Sequence, residues 1–332
     1  MIGLVGCGLQ GWRRARAARQ NGDTLAIVAD SDEQKAKLLS NEMGGATTGD
    51  WVDVVTKKNV DLVIVCVPNH LHAPISIAAM KEGKHVLCEK PIGKNPDEAE
   101  LMVKAAQEAG VRLKCGFNLR HHAGVQQLRK WSDQKMLGKT IFIRARYGIG
   151  GRASYEKDWR ANKEESGGGE LLDQGIHIID LVTWFMGGFK EVVGFTPTLF
   201  WNISPLEDNA FALFRTKAEQ VASIHVSWTQ WKNLFSFEIY GSDGYAQVEG
   251  LGGSYGTERA IRGRVDFTQP FLEEVIEYRG EDCSWLAEWK EFVSSIKQNR
   301  EPLGNGYDGW QAVKLAFAVY ESAQTGRIIG LT

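Results

Sequence analysis

The spacing of apolar positions changes about a third of the way along this chain, and the change divides it in two. In the first part, short continuous apolar runs at residues 2–5, 25–29, 61–67, 85–88 and 112–116 alternate with amphipathic stretches. The run at 61–67 contains L-V-I-V-C-V, the unbroken pattern of a parallel strand covered on both faces. A basic helical segment follows residue 11, and further helices are predicted over 33–43, 51–57, 74–82 and 96–109. This alternation predicts an α/β Rossmann unit, a doubly wound parallel sheet. Near residue 120 the grammar changes. A helix at 124–135 leads into a strand at 139–147, and from about 190 strands with period-two patterning follow one another at 191–200, 209–214, 221–228, 235–240 and 245–249. These predict an α+β second domain with an open, mostly antiparallel sheet and helices on one face. Two helices, 284–298 and 309–325, close the chain, and the glycine-rich stretch 250–256 reads as a loop. The expected domains are 1–120 and 121–332.

Composition narrows the function. A length of 332 residues suits two domains of roughly 100 to 200 residues each. A net charge of −2 leaves no basic field to recruit nucleic acid. No apolar run approaches the roughly 20 residues that span a bilayer. Five cysteines without a C-x-x-C pair, several inside apolar runs, read as buried free thiols in a reducing compartment. Met1 runs straight into the first strand, which leaves no room for a signal peptide. The expected localisation is cytoplasmic, with neither nucleic-acid nor membrane partners. The pairs His70/His72 and His121/His122 lack the further ligands of a zinc site, so no metal is expected.

The most informative stretch is residues 2–30. The first strand runs into G-C-G-L-Q-G (Gly6, Cys7, Gly8, Leu9, Gln10, Gly11), a helix follows, and the second strand ends at Asp30. In such a unit Gly6 allows the tight turn, Gly8 lets backbone approach a pyrophosphate, and Gly11 lets helix and strand pack closely. The pyrophosphate sits on free N–H groups and the positive end of the helix dipole. Asp30, about 20 residues on, accepts hydrogen bonds from the adenosine ribose hydroxyls. It would repel a 2′-phosphate, and Ser31, Asp32 and Glu33 after it add negative charge, so NAD is expected over NADP.

Ligands of doubly wound sheets lie at the carboxyl ends of strands. The residues there are Gly6 to Gly11, Asp30, Pro68, Asn69, Glu89, Lys90, Pro91 and Asn118. Lys90 is either a solvated loop lysine or a partly desolvated one beside a cofactor. A second constellation is G-G-G-E-L-L-D-Q-G-I-H-I-I-D at 167–180, opening an apolar helix predicted to run to about residue 186. Asp173 and His177 are four residues apart, hence on one face, with Asp180 three further on. A histidine oriented by a carboxylate suits general-base work near neutral pH; the alternative is a satisfied core histidine.

Together these motifs resemble the glucose–fructose oxidoreductase, inositol dehydrogenase and rhizopine-catabolism (Gfo/Idh/MocA) family along essentially the whole chain. The resemblance rests on GCGLQG at 6–11, V-P-N-H-L-H at 67–72, E-K-P at 89–91, N-L-R at 118–120, W-R at 159–160, D-Q-G-I-H at 173–177 and D-G-W…Y-E-S…T-G-R at 308–327. It implies catalytic roles for Lys90, Asp173 and His177. It places Asn69, His72, Glu89 and Asn118 around the nicotinamide and its ribose, and brings Trp159 and Arg160 to the cofactor or substrate. On this pattern His177 takes the proton of a secondary hydroxyl, Lys90 stabilises the developing alkoxide, and Asp173 orients the set. The segment 146–160 resembles members acting on nucleotide-linked amino sugars at the 3-hydroxyl. Arg152, Tyr155 and Arg160, with Trp228, are accordingly expected on the substrate, where guanidinium groups suit phosphate oxygens. The expected activity is oxidation of a sugar or nucleotide-sugar secondary alcohol, at C3 of a UDP-amino sugar. The alternatives are a cyclic-polyol or free-sugar dehydrogenase, an NAD-dependent glycosidase and a non-enzymatic NAD-sensing regulator. The family's open sheet implies a homodimer or homotetramer.

Overall fold

The computed structural model describes residues 1–270 and 272–331. It divides into two compact units. The first comprises Met1–Asn118, Glu164–Gly167 and Trp285–Val313; the second comprises Leu119–Lys163, Gly168–Ser284 and Lys314–Thr332.

In the first unit six strands form one parallel sheet: β1 (Ile2–Val5), β2 (Leu25–Ala29), β3 (Ala46–Thr48), β4 (Leu62–Val65), β5 (His85–Cys88) and β6 (Leu113–Cys115). Their order is β3-β2-β1-β4-β5-β6. Helices α1 (Leu9–Gln20), α2 (Glu33–Met43), α3 (Trp51–Thr56), α4 (His72–Lys81) and α5 (Pro96–Ala109) connect them. The central strands β1 and β4 are buried along their whole length, as an apolar run sandwiched between helices requires. The order reverses direction between β1 and β4, the switch point at which doubly wound sheets bind ligands. Linear reading gives residues 285–313 to the second domain. Instead Trp289 and Phe292 join the core of Leu4, Leu39 and Ile64, so this late segment helps complete the first unit.

In the second unit α6 (Ala123–Asp133) leads into β7 (Thr140–Gly148), and α8 (Ile176–Met186) follows; the short helix α7 (Lys163–Ser166) belongs from Glu164 on to the first unit. Seven further strands come next: β8 (Glu191–Phe195), β9 (Asn209–Arg215), β10 (Val221–Ser227), β11 (Leu234–Gly241), β12 (Gly244–Glu249), β13 (Glu258–Arg264) and β14 (Glu273–Tyr278). Helix α9 (Ser284–Lys297), which from Trp285 on belongs to the first unit, α10 (Gly306–Thr325), which belongs to the second unit from Lys314 on, and the two-residue β15 (Ile329–Gly330) end the chain. With β7 and β15 these strands form a nine-stranded sheet, order β14-β13-β12-β11-β7-β10-β9-β8-β15. Among the described residues of this sheet β7 and β10 pair in parallel and the other pairs are antiparallel. One face packs Ile143, Ala145, Phe214, Ile224 and Phe237 into the core. The opposite face leaves Phe142, Phe211 and Leu213 exposed. Strand β8 stops at Phe195, short of the predicted end at residue 200; Pro197 has no N–H to give the ladder, and the Asp208 carboxylate takes the N–H groups of Leu199, Phe200 and Trp201 into a loop.

Candidate functional site

In the first unit the glycine turn has the shape that a dinucleotide needs. A Cβ on Gly11 would collide with the carbonyl oxygen of Gly6, so only glycine lets α1 rest on the turn. At Gly8 nothing lies within 4 Å of where a Cβ would stand. Gly8 caps α1, no side chain caps that N-terminus, and the first turn holds no acidic residue. Gln10 Oε1 is buried without a protein hydrogen-bond partner. Open space over uncapped N–H groups at the positive end of a helix is an anion cradle. Asp30 is aimed at it: Oδ2 accepts from Cys7 N–H (2.7 Å) and Oδ1 from Asp32 N–H (2.9 Å). Each oxygen keeps a lone pair, which matches the two hydroxyls of a ribose. Burial, with the Asp30 carboxylate beside it, pushes the Cys7 thiol up to about 12, so it stays neutral there. The residues fit NAD.

Farther along the same strand ends, several expected contacts take other places. Pro68 is half-exposed, and Asn69 is buried and donates to Ser166 O (2.8 Å). His72 is 1% exposed, its Nδ1 lying 2.7 Å from Pro91 O and its Nε2 2.9 Å from Val67 O. It braces the two strand ends, and burial holds its pKa down at about 4. Glu89 is likewise withdrawn, accepting a hydrogen bond from Arg14 Nε (2.7 Å). The Arg14 guanidinium, fully buried, also meets Glu288, and Lys114 lies 3.4 Å from the other oxygen of Glu288. Glu89 therefore belongs to an internal ion network immediately before the half-buried Lys90. Asn118 is buried at the head of the turn Asn118–His121. Leu9 is exposed and Gln10 half-buried.

In the second unit the predicted helix opens with a π-helical turn, Leu171–Gly175, before α8. Such turns mark functional positions often, because the extra residue re-aims the side chains it carries. This one carries Asp173 and leads directly to His177. Its N-terminus is held by Glu207, a residue the sequence reading missed. The buried carboxylate accepts from Leu171 N–H (2.9 Å), Gly169 N–H (3.2 Å) and Tyr320 O–H (2.7 Å). A Cβ on Gly169 would collide with the Glu207 backbone, which explains the glycine. Burial raises the Glu207 pKa to about 6, against the pull of those donors.

His177 is 6% exposed, with the edge of Tyr147 against it (centroids 6.4 Å apart, 76°). Tyr147 in turn lies 5.1 Å from Tyr255, whose hydroxyl takes a hydrogen bond from Gln174 Nε2 (3.1 Å). Tyr255 comes from the loop at 250–256, where only its place among glycines marked it. Asp173 is half-buried and 3.4 Å from Arg160 Nε. Asp180 has a structural partner, a bidentate pair with buried Arg120 at 2.6 and 2.8 Å. Arg160 lies over the Trp159 ring at 4.4 Å and meets Asp158 at 3.2 Å; Arg152 meets the same carboxylate at 3.7 Å. Tyr155 and Trp228 do not line a surface. Both are fully buried, their rings 4.4 Å apart in a cluster with Ile203 and Leu206, so the expected substrate contacts are core residues.

Of the five cysteines, four are buried or half-buried, and Cys283 is exposed. Among the described residues no group of three or more His, Cys, Asp or Glu side chains could hold a metal, and no helix is long and apolar enough to cross a membrane.

A dinucleotide cradle on a Rossmann sheet, followed by a second unit built on a mostly antiparallel sheet, is the architecture of an NAD-dependent oxidoreductase acting on CH–OH groups. Residues 1–117 match the model of the oxidoreductase family with NAD-binding Rossmann fold, and residues 125–247 match the GFO/IDH/MocA C-terminal domain. The chain belongs to the Gfo/Idh/MocA family. A 1,5-anhydro-D-fructose reductase of Ensifer adhaerens is 26% identical over 328 residues, covering 98% of this chain and 96% of that one. Levoglucosan dehydrogenase, solved with NADH and levoglucosan, superposes with a TM-score of 0.90 over 100% of this chain and 98% of that one; at 21% identity it speaks for the fold. The WlbA dehydrogenase of Bordetella pertussis, solved with NADH and UDP-GlcNAcA, is 25% identical, with a TM-score of 0.83 over 100% and 98%.

Proposed function

We propose that this oxidoreductase converts a secondary hydroxyl of a sugar ring to a ketone, with C3 as the carbon oxidised. The observation that carries the reading is the π-helical turn that holds Asp173 and leads into His177 at the start of α8, its N-terminus fixed by a buried carboxylate. His177 Nε2 or Nδ1 accepts the hydroxyl proton. Lys90 donates a hydrogen bond to the same oxygen as negative charge develops on it. Asp173 orients the ring through its hydroxyls, and Arg160 holds Asp173 in place. NAD, when bound over Gly8 and Asp30, supplies the hydride acceptor. Gln174 and Tyr255 fix the turn and the loop around the reacting carbon.

Resemblance to the UDP-GlcNAcA-bound relative supports a nucleotide-linked amino sugar as substrate. A free or anhydro sugar is the second reading, favoured because Arg152 and Arg160 already share Asp158. The exposed sheet face with Phe142, Phe211 and Leu213 supports assembly into a homodimer or homotetramer, since contiguous apolar patches mark interaction sites. A panel of free sugars, inositols, glycosides and UDP-sugars assayed for NADH formation tests the reading. Net oxidation of at least one ring alcohol is expected. Hydrolysis without net NADH, or NAD binding with no turnover across the panel, would overturn it.

A further inference from the structure

In the second unit the loop 250–256 brings Tyr255 to the turn that bears Asp173, yet its own sequence gives it little reason to hold one shape. Gly250, Gly252, Gly253 and Gly256 all have positive φ, between +50° and +92°. Glycine loses more conformational freedom on folding than any other residue, so a loop of this kind has to be held from outside. The holding group is a buried cluster that the proposed reaction does not use. Glu258, the first residue of β13, is 5% exposed. Its Oε1 accepts from Gly124 N–H (2.6 Å); its Oε2 accepts from Gly252 N–H (3.2 Å) and lies 2.9 Å from His122 Nδ1. Burial alone would raise the Glu258 pKa, but the His122 ring and those two N–H groups hold it below the ordinary carboxylate range.

Asp282 grips the same point from the other side. Its Oδ1 accepts from Ser284 N–H (2.8 Å) and stands 3.9 Å from His122 Nε2. A Cβ on Gly252 would lie 2.9 Å from the Asp282 side chain, so the loop rests against it only with glycine there. Three residues on, Tyr255 N–H returns to Leu251 O (3.2 Å), and Leu251 is buried. The tip is thus tied to the root over a short path. At the tip, Tyr255 Oη accepts from Gln174 Nε2 (3.1 Å), and its ring lies 5.1 Å from Tyr147, whose edge meets His177. Gln174 Oε1 is buried with no hydrogen-bond partner among the described residues, so loss of the Tyr255 hydroxyl would leave the whole side-chain amide unpaired.

We infer that Glu258, clamped by His122 and Asp282, is a positioning residue for the site: it sets the root of loop 250–256 so that Tyr255 meets Gln174 and holds the turn carrying Asp173. The cluster acts through Tyr255 and Gln174, not by contact with the reacting groups. π-Helical geometry is rare and short-lived along a chain, so this turn has to be held by its neighbours, and Tyr255 is one of them. The kinetic consequence rests on the proposed sugar-ring oxidation; the structural one does not.

The test uses the full chain and two readouts. In hydrogen–deuterium exchange without ligand, Glu258→Gln should speed exchange of both 250–256 and 168–177 at least about threefold, and Tyr255→Phe should speed 168–177 by a similar factor. The second readout is NADH formation from NAD with myo-inositol, methyl glucoside and UDP-N-acetylglucosamine. For whichever of these turns over, each variant should lower kcat at least about tenfold with KM within about twofold, the pattern of misplaced groups. The double variant should lose no more than the worse single one, because both act through one contact. If Glu258→Gln does not fold, Gly256→Ala carries the same test: it strains the loop at φ +92° with no atom within 4 Å of the new Cβ. Exchange that quickens in 250–256 and α6 while 168–177 keeps the wild-type rate would overturn the inference, as would losses that multiply in the double variant. No NADH from any of the three substrates would overturn the sugar-oxidation reading, and the exchange result would then decide the role of Glu258 by itself.

Discussion

The two units hold their functional groups by different means. The first builds its cradle almost wholly from main chain: a glycine turn, an uncapped helix N-terminus and one carboxylate, Asp30, itself aimed by two backbone N–H groups. The second builds with side chains. Glu207 fixes the turn bearing Asp173, Asp208 fixes residues 199–201, and Asp158 gathers Arg152 and Arg160. Main-chain groups cannot be altered one at a time by mutation, which suits a cofactor that does not change. Side-chain devices can be exchanged singly, which suits a site whose substrate differs between relatives.

That contrast can be broken by substitution. The largest effect is expected at Arg14, the side chain on which the first unit depends. Arg14→Met removes the cation that Glu89 and Glu288 share, leaving Glu288 with Lys114, and should cost about 3–5 kcal/mol in denaturant unfolding. A loss under about 1 kcal/mol would mean that the network does not hold α1 and α9 together.

Glu207 comes next. Its folded pKa of about 6 lies above the ordinary 4.5, so between these values the folded state binds more protons than the unfolded one. Its contribution is fully present below pH 4.5 and falls by about 2 kcal/mol as pH rises to about 6. Glu207→Gln cannot ionise, so its stability relative to wild type should improve by that amount across this window. Parallel pH curves for the two proteins would contradict the assignment.

A smaller, cleaner effect is expected in the cradle. Gly8→Ala meets no protein atom, so the melting temperature should hold while NADH affinity falls at least about tenfold. Gly11→Ala should instead lower the melting temperature. If Gly8→Ala binds NADH normally, the space above Gly8 is not where the pyrophosphate lies.

The same contrast governs what could be read from residues alone. Gly6 and Gly11 are legible because a Cβ there would meet backbone atoms, whereas Gly8 and Asp30 are read from their place in the motif. The parallel sheet was legible because its strands are continuous apolar runs. For His72 and Glu89 the motifs gave no sign of the carbonyls and guanidinium that they meet. Strands β13 and β14 escaped notice because they carry the charged sequences E-R-A-I-R-G-R and E-E-V-I-E-Y, paired across the ladder by Arg262 and Glu274 at 2.6 Å. Glu207 and Tyr255 lie far in sequence from the turn that they support, and no local pattern could have joined them to it.

The most direct test of the central claim is His177→Asn, which keeps polarity and approximate volume but cannot act as a base at neutral pH. The reading predicts that NADH binding, followed by fluorescence, and the melting temperature stay near wild type while kcat for the best ring alcohol falls at least about 100-fold. Normal turnover together with early melting would make His177 a core histidine and contradict the account.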